Sequence, residues 1–268
     1  MKKKFYLLTI AVLMLGVLAG CGNSSKEDTS LKDIQDKGKI VLGTSADYAP
    51  YEWHMIDGKN DEIVGVDIEI AKQVAADLGV ELEIKDMQFN GLFSALNSGD
   101  IDMIIAGMVA DEKRSESVDF TEPYFEQGQV LLVNKKDADT FKSIDDLKGK
   151  KIGSQLGSVQ YEYANTNFDA EITGIPNNND LIMELKNGTL DVVFMSELTA
   201  KQFAGLNDDL VISEIDSIPT EGGSCIAVQK GSSSLVDALN ESIKQLNESE
   251  KINQWFLDFT ELAKEKAN

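Results

Sequence analysis

The chain has 268 residues, 42% hydrophobic and 26% charged, with 25 Lys plus Arg against 46 Asp plus Glu and a formal charge of −21. That charge, with no long basic run, excludes a nucleic-acid partner, whose phosphates are held mainly by clustered Lys and Arg, and the ordinary apolar fraction excludes a disordered chain. One histidine and two cysteines leave no material for a structural zinc site or a disulfide framework, so neither a metal nor a cofactor is expected.

Lys2, Lys3 and Lys4 open a stretch that is apolar from Phe5 to Gly20 apart from Thr9, too short for a membrane span, and residues 1–20 read as a secretory signal peptide. Leu18-Ala19-Gly20-Cys21 resembles the bacterial lipobox, in which the cysteine sulfur receives a diacylglycerol. Cys21 is then the mature N-terminus, and its acyl chains, palmitate among them, anchor the protein to the outer face of the membrane. Cutting away three lysines leaves 22 basic against 46 acidic residues, near −24. The run Gly22 to Ser30 has no apolar residue and reads as a flexible tether, which is drawn over residues 21–36. Cys225 is left without a partner and is expected to be a small buried hydrophobe.

Beyond the tether, two segments recur in the same order. A short helix pattern from Leu31 leads through Gly38-Lys39 into Ile40-Val41-Leu42-Gly43, and Ile144 to Gly153 repeats it with Gly149-Lys150-Lys151-Ile152-Gly153. Leu96-Asn97-Ser98-Gly99-Asp100-Ile101-Asp102-Met103-Ile104 is echoed by Leu185-Lys186-Asn187-Gly188-Thr189-Leu190-Asp191-Val192-Val193. In each echo a helix ends at glycine and an apolar strand follows. The spacing of Val66, Ile70, Val74 and Leu78 predicts a helix over 63–79, followed by an alternating strand over 80–84. Helices are predicted over 91–96, 160–165, 180–185 and across 235–267, and strands over 103–106, 151–153 and 191–195.

Repeated strand-helix-strand units imply an α/β protein of two lobes, each with a mostly parallel sheet, joined by two hinge crossings. Lobe 1 is assigned residues 37–129 and 226–268, lobe 2 residues 130–225. Val130-Leu131-Leu132-Val133 and Ile226-Ala227-Val228 are the candidate hinge strands. Ligands of open α/β sheets sit beyond the carboxyl ends of the strands, so facing lobes place a cleft between them.

Gly65-Val66-Asp67-Ile68-Glu69-Ile70-Ala71, then Gly99-Asp100-Ile101-Asp102, Ala106-Gly107-Met108, Arg114 and Val118-Asp119-Phe120-Thr121-Glu122-Pro123-Tyr124, resemble the motifs of the family 3 solute-binding proteins of amino-acid ABC transporters. The resemblance covers nearly all of the mature body. It implies a type II periplasmic-binding-protein fold that binds a polar amino acid and hands it to an ABC permease, acting as a membrane-anchored monomer on the extracellular or periplasmic side. In a chain whose positive charge is almost entirely lysine, Arg114 has the planar fork suited to a carboxylate, and by resemblance it is the carboxylate anchor. The turn Gln155-Leu156-Gly157-Ser158-Val159-Gln160 offers helix-start N–H groups to an anion; the resemblance puts the other side of the ligand there, at Gln155, Ser158 and Val159. Tyr48 and Phe89 fall where the family walls the ligand's side chain, and Ala106, Gly107 and Met108 form the facing loop.

The sequence departs from the family at Ser45 and Ser196, where aspartates are usual, and at Val109, where a threonine is. Glu197, with carbonyls near Ala106 and Gly107, is the expected substitute for holding the ammonium group. His54 lacks a nucleophile motif beside it and reads as a surface or pocket-rim residue, so no catalytic residue is assigned. The rival readings are an enzyme resembling a cyclohexadienyl dehydratase and the ligand-binding module of a sensory system.

Overall fold

The computed structural model describes residues 28–126, 128–216, 218 and 222–266. The signal peptide, Cys21 and the first half of the tether lie outside the described residues. Among the described residues no helix is long and apolar enough to cross a membrane.

Helix α1 (Ser30–Lys37) leads into β1 (Lys39–Thr44), β2 (Asp47–Tyr48), β3 (Glu52–Asp57), β4 (Asn60–Val64), α2 (Val66–Leu78) and β5 (Glu81–Asp86). Then come α3 (Leu92–Ser98), β6 (Met103–Ile104), α4 (Glu112–Ser115) and β7 (Val118–Phe120). After a crossing follow β8 (Gln129–Asn134), β9 (Lys151–Gln155), α5 (Val159–Asn167), β10 (Glu171–Ile175), α6 (Asn178–Asn187), β11 (Val192–Ser196), α7 (Glu197–Leu206) and β12 (Leu210–Ile212). The chain then returns through β13 (Ala227–Gln229) to α8 (Ser233–Glu248) and α9 (Lys251–Lys266).

Lobe 1 is built on a five-stranded sheet ordered β5-β1-β6-β13-β7, and lobe 2 on one ordered β10-β9-β11-β8-β12. The orders are the same pattern. In each sheet one strand, β13 or β8, runs against both its neighbours, and it is the strand that has just arrived from the other lobe. The stretches expected as hinge strands are therefore sheet strands, fixed by ladder hydrogen bonds on both sides. The two connecting segments run beside one another just outside the sheets, where Phe125 bridges Ser224 and Gln129 bridges Ile218.

Both sheets are covered on two faces. In lobe 1 the apolar stripe of α2 (Ile70, Ala71, Val74, Leu78) packs with Leu239 and Ile243 of α8 and Ile252 and Phe256 of α9 on one face. Leu92 and Leu96 of α3 pack on the other. Each fully buried Leu or Ile contributes about 1.5–3 kcal/mol. In lobe 2, Leu181 and Leu185 of α6 cover one face and Ala164 of α5, with Phe141 and Leu147, the other.

Two boundaries differ from expectation. Ile34 of α1 is buried and Leu31 packs beside it, so residues 30–36 belong to the folded body and the tether ends earlier than residue 36. The helix predicted from residue 63 begins at Val66, because Ile63 and Val64 pair with β3 and Gly65 breaks the chain at φ 135°. A Cβ there would stand 2.1 Å from the Tyr51 carbonyl oxygen, so the turn requires glycine.

Candidate functional site

Beyond β6 the loop 105–109 turns back at Gly107, whose N–H donates to Asp67 Oδ2 at 2.7 Å. The Tyr124 hydroxyl donates to the same carboxylate, at 2.8 Å from Oδ1. Asp67 stands in the first turn of α2, so one buried carboxylate ties the loop to the helix and to the segment leading into the crossing. Burial raises its pKa to about 6, against the lowering effect of those hydrogen bonds. Glu52 is fully buried beneath, and neither of its oxygens has a hydrogen-bond partner. Burial first, and the nearby Asp67 charge second, push it well above the usual carboxylate range, which favours the neutral acid.

The absence of a Cβ at Gly107 lets the Tyr48 ring lie against the loop, 3.2 Å from where that atom would be. Tyr48 stacks on Tyr51 at 5.5 Å between centroids. Its hydroxyl donates across the cleft to Ser196 Oγ at 2.6 Å and accepts the Ser196 N–H at 3.3 Å. Burial pushes the phenol up to about 12, so it acts as a donor at neutral pH.

Arg114, the only arginine of the chain, sits on α4, whose start is capped by Asp111 accepting the Arg114 N–H at 2.7 Å. Its Nη1 donates to the Val109 carbonyl at 2.6 Å and its Nη2 to the Gly157 carbonyl of lobe 2 at 2.8 Å. The guanidinium lies over the Phe93 ring at 5.5 Å, with Nε 3.3 Å from Asp111 Oδ2. Burial lowers its pKa, opposed by Asp111 and Glu162, but an arginine stays a cation. Opposite it, Ser158 caps α5 by accepting the Tyr161 N–H at 3.1 Å. Gln160 donates to Gln129 Oε1 at 2.5 Å.

Between the lobes lies an inner cavity of about 10 Å³ lined by Tyr48, Gly107, Val109, Gln129, Gln160, Ser196 and the turn Gly222-Gly223-Ser224. A wider groove of about 440 Å³ opens beside it, between the β2–β4 hairpin and helices α6 and α7. It contains no lysine or arginine, and His54 on its rim is held by Asp61 at 2.7 Å and Asp86 at 3.2 Å. The lining of the inner cavity holds no lysine or arginine either, but the carbonyl of Val109 on its wall accepts from Arg114, which places the chain's one guanidinium beside the inner cavity although the outer groove is larger.

Of the residues singled out from the sequence, Tyr48, Gly107 and Ser196 line the inner cavity. Arg114 is joined to its wall through the Val109 carbonyl, and Ser158 caps the helix whose Gln160 lines it. Phe89 is a core residue behind the loop, and Met108 of the loop packs into the same core with Leu92 and Ala106. Ser45 is buried at the end of β1, Gln155 turns its amide to the Pro176 carbonyl at 3.4 Å, and Val159 begins α5 half-buried. Glu197 does not line the cavity: an i,i+4 ion pair draws its carboxylate to Lys201 at 2.5 Å. Gln160, at the end of the turn read from the sequence, lines the cavity too, and Gln129 and Ser224 line it without having been singled out, because only the folding of both crossings brings them there. Cys225 is a buried free thiol, pushed up to about 12 by burial, with its Sγ 3.4 Å from the Gly223 carbonyl. Among the described residues no three His, Cys, Asp or Glu gather as a metal site.

A two-lobed α/β fold with one arginine facing a helix start across the cleft defines a binding protein of the periplasmic type. Residues 40–259 match the model of the bacterial extracellular solute-binding proteins, family 3, and the chain belongs to that family. It is 35% identical over 262 residues to the arginine-binding extracellular protein ArtP of Bacillus subtilis, covering 95% of this chain and 98% of that one. Its fold is similar, at a TM-score of 0.84 and 34% identity, to the substrate-binding protein AbpA of Streptococcus pneumoniae bound to L-arginine, over 87% of this chain and 98% of that one. An ancestral amino-acid-binding protein, AncCDT-1, described as a precursor of cyclohexadienyl dehydratase, superposes at 0.78 with 30% identity, over 86% and 99%.

Proposed function

We propose that this protein is the extracellular substrate-binding component of an ABC importer, closing on a polar amino acid in the interlobe cleft and delivering it to the permease. The observation that carries this reading is the position of Arg114: a guanidinium on lobe 1 whose outer nitrogen already reaches a main-chain oxygen at the helix-start turn of lobe 2. A ligand carboxylate arriving there would replace a neutral acceptor with an anion and gain the N–H groups of α5, so binding and closure stabilise each other. The arginine-binding relatives make arginine the first ligand to test. Lobe 1 is formed by residues from α1 to the first crossing and again from residue 226 onward, and lobe 2 by residues 129–225, with bending in the paired crossings, and Cys21 carries the lipid anchor. The role is transport, not catalysis: the lone histidine is occupied by two aspartates on the groove rim.

The test is a thermal-shift screen over the twenty amino acids with cystine and ornithine. A ligand at 100 times its Kd should stabilise the protein by about 2.7 kcal/mol, and Arg114→Ala should abolish that shift. No shift with any of them overturns the reading. Turnover of prephenate or arogenate by the purified protein would establish the enzyme instead.

A further inference from the structure

Tyr48–Ser196 and Arg114–Gly157 join the lobes at the inner cavity. A third link lies outside it. Asp47 Oδ2 accepts the backbone N–H of Asn178 at 2.8 Å, and its Oδ1 accepts the Asn178 side-chain Nδ2 at 3.0 Å. Asn178 is the first residue of α6, fully buried, and its own Oδ1 has no partner, so the side chain serves this contact as a donor only.

The carboxylate thus grips a helix start with both oxygens, where backbone dipoles favour an anion. The grip is a product of the β2–β4 hairpin, which carries Asp47 over the cleft. Desolvation and the neighbouring Asp86 and Asp180 disfavour the charge there, while the Asn178 bonds favour it. Asp47 lines the outer groove and is absent from the wall of the inner cavity.

We propose that the Asp47–Asn178 contact is a closure latch: it sets the fraction of molecules with the lobes together and thereby scales the affinity for every ligand by one common factor, without touching any of them. This rests on the reading that ligand is captured between the lobes. Apparent affinity is intrinsic affinity reduced by the fraction of binding-competent molecules, so a contact that closes the lobes yet avoids the ligand changes strength and leaves selectivity alone.

The test uses Asp47→Ala, Asp47→Asn and Asn178→Ala in the full chain. Calorimetry against each amino acid that binds the parent should show all affinities falling at least about tenfold in Asp47→Ala, through the loss of two charge-assisted bonds, with the ranking of ligands unchanged. Asn178→Ala, which keeps its backbone N–H, should lose less in the same direction, and Asp47→Asn, which preserves shape, should fall between. Small-angle scattering without amino acid should give Asp47→Ala a larger radius of gyration than the parent. A changed ranking would make Asp47 a ligand contact and overturn the latch, as would unchanged affinities with an unchanged radius. Should the parent bind no amino acid at all, the transport reading fails, while scattering still decides the latch.

Discussion

In lobe 1 the chain leaves β1 through Ser45 into the three-stranded hairpin sheet β2–β4 before it enters α2, whereas in lobe 2 it leaves β9 through Leu156-Gly157-Ser158 straight into α5. The path from Gly43 to Gly99 is 56 residues and that from Gly153 to Gly188 is 35, and the hairpin occupies most of the difference. Three close contacts recur at equivalent positions of the two lobes. A Cβ on Gly43 would stand 2.3 Å from Ile101 and 3.1 Å from Leu92; one on Gly153 would stand 2.4 Å from Leu190 and 2.8 Å from Leu181. Asp102 accepts the Val41 N–H and Asp191 the Lys151 N–H, each at 2.8 Å. Thr44 donates to the Ile105 carbonyl and Ser154 to the Phe194 carbonyl, each at 2.9 Å. The sheets and their close contacts are a shared frame, and the turn after the first strand is one place where the lobes part. Lobe 1 carries Tyr48 and Asp47 on its hairpin at this point; lobe 2 has a helix start capped by Ser158.

If the frames are equivalent, Leu92→Ala and Leu181→Ala, both in fully buried sites, should each cost about 2–5 kcal/mol. Calorimetric unfolding should give losses within about 1 kcal/mol of one another, and a much smaller loss at Leu181 would break the equivalence. A contrast between the lobes comes next. Asp47, Glu52 and Asp67 all have raised pKa values, and all three lie in lobe 1. Asp67 at about 6 exceeds its ordinary 3.8, so the folded protein binds this proton more readily than the unfolded chain. The stability it contributes is fully present below about 4 and is lost as pH rises through 6, about 2–3 kcal/mol in all. Stability measured from pH 4 to 7 should fall by that amount in the parent relative to Asp67→Asn. Ligand affinity should move the other way, weakening as acid neutralises the carboxylate that holds Gly107. Gly43→Ala and Gly153→Ala should each cost about 1–3 kcal/mol by overfilling equivalent sites, read from urea midpoints. Glu52→Gln keeps a neutral group of the same shape and should change stability at pH 7 by less than about 1 kcal/mol; a larger loss would show that Glu52 is ionised.

The shared frame was legible before folding because it is written in local signals. Gly99 and Gly188 both end helices in the left-handed region, at φ 79° and 77°, with the next strand close behind. The motif residues Asp67 and Arg114 were legible as a family pattern, but not what Asp67 does, since its partners Gly107 and Tyr124 are 40 and 57 positions away. The hairpin escaped notice because Trp53-His54-Met55-Ile56 does not alternate, and its faces show mixed burial. Glu197 was expected to face the ligand on the strength of its neighbour Ser196, yet one residue further along lies on another side of α7, within reach of Lys201. Residues gathered by the two crossings, Gln129 and Ser224, carry no local mark at all.

The exchanged strands impose an order of assembly. Lobe 2 takes its sheet from the continuous stretch between Gln129 and Ile212, whereas the sheet of lobe 1 is split between β6 and β7 until Ala227–Gln229 arrives to fill the gap. A chain that emerges N-terminus first therefore presents β1, β5 and β6 early but can complete their sheet only after the second lobe has passed. The lobe that comes first in the sequence is the last to close its core, and it stays pliable for most of the chain's passage.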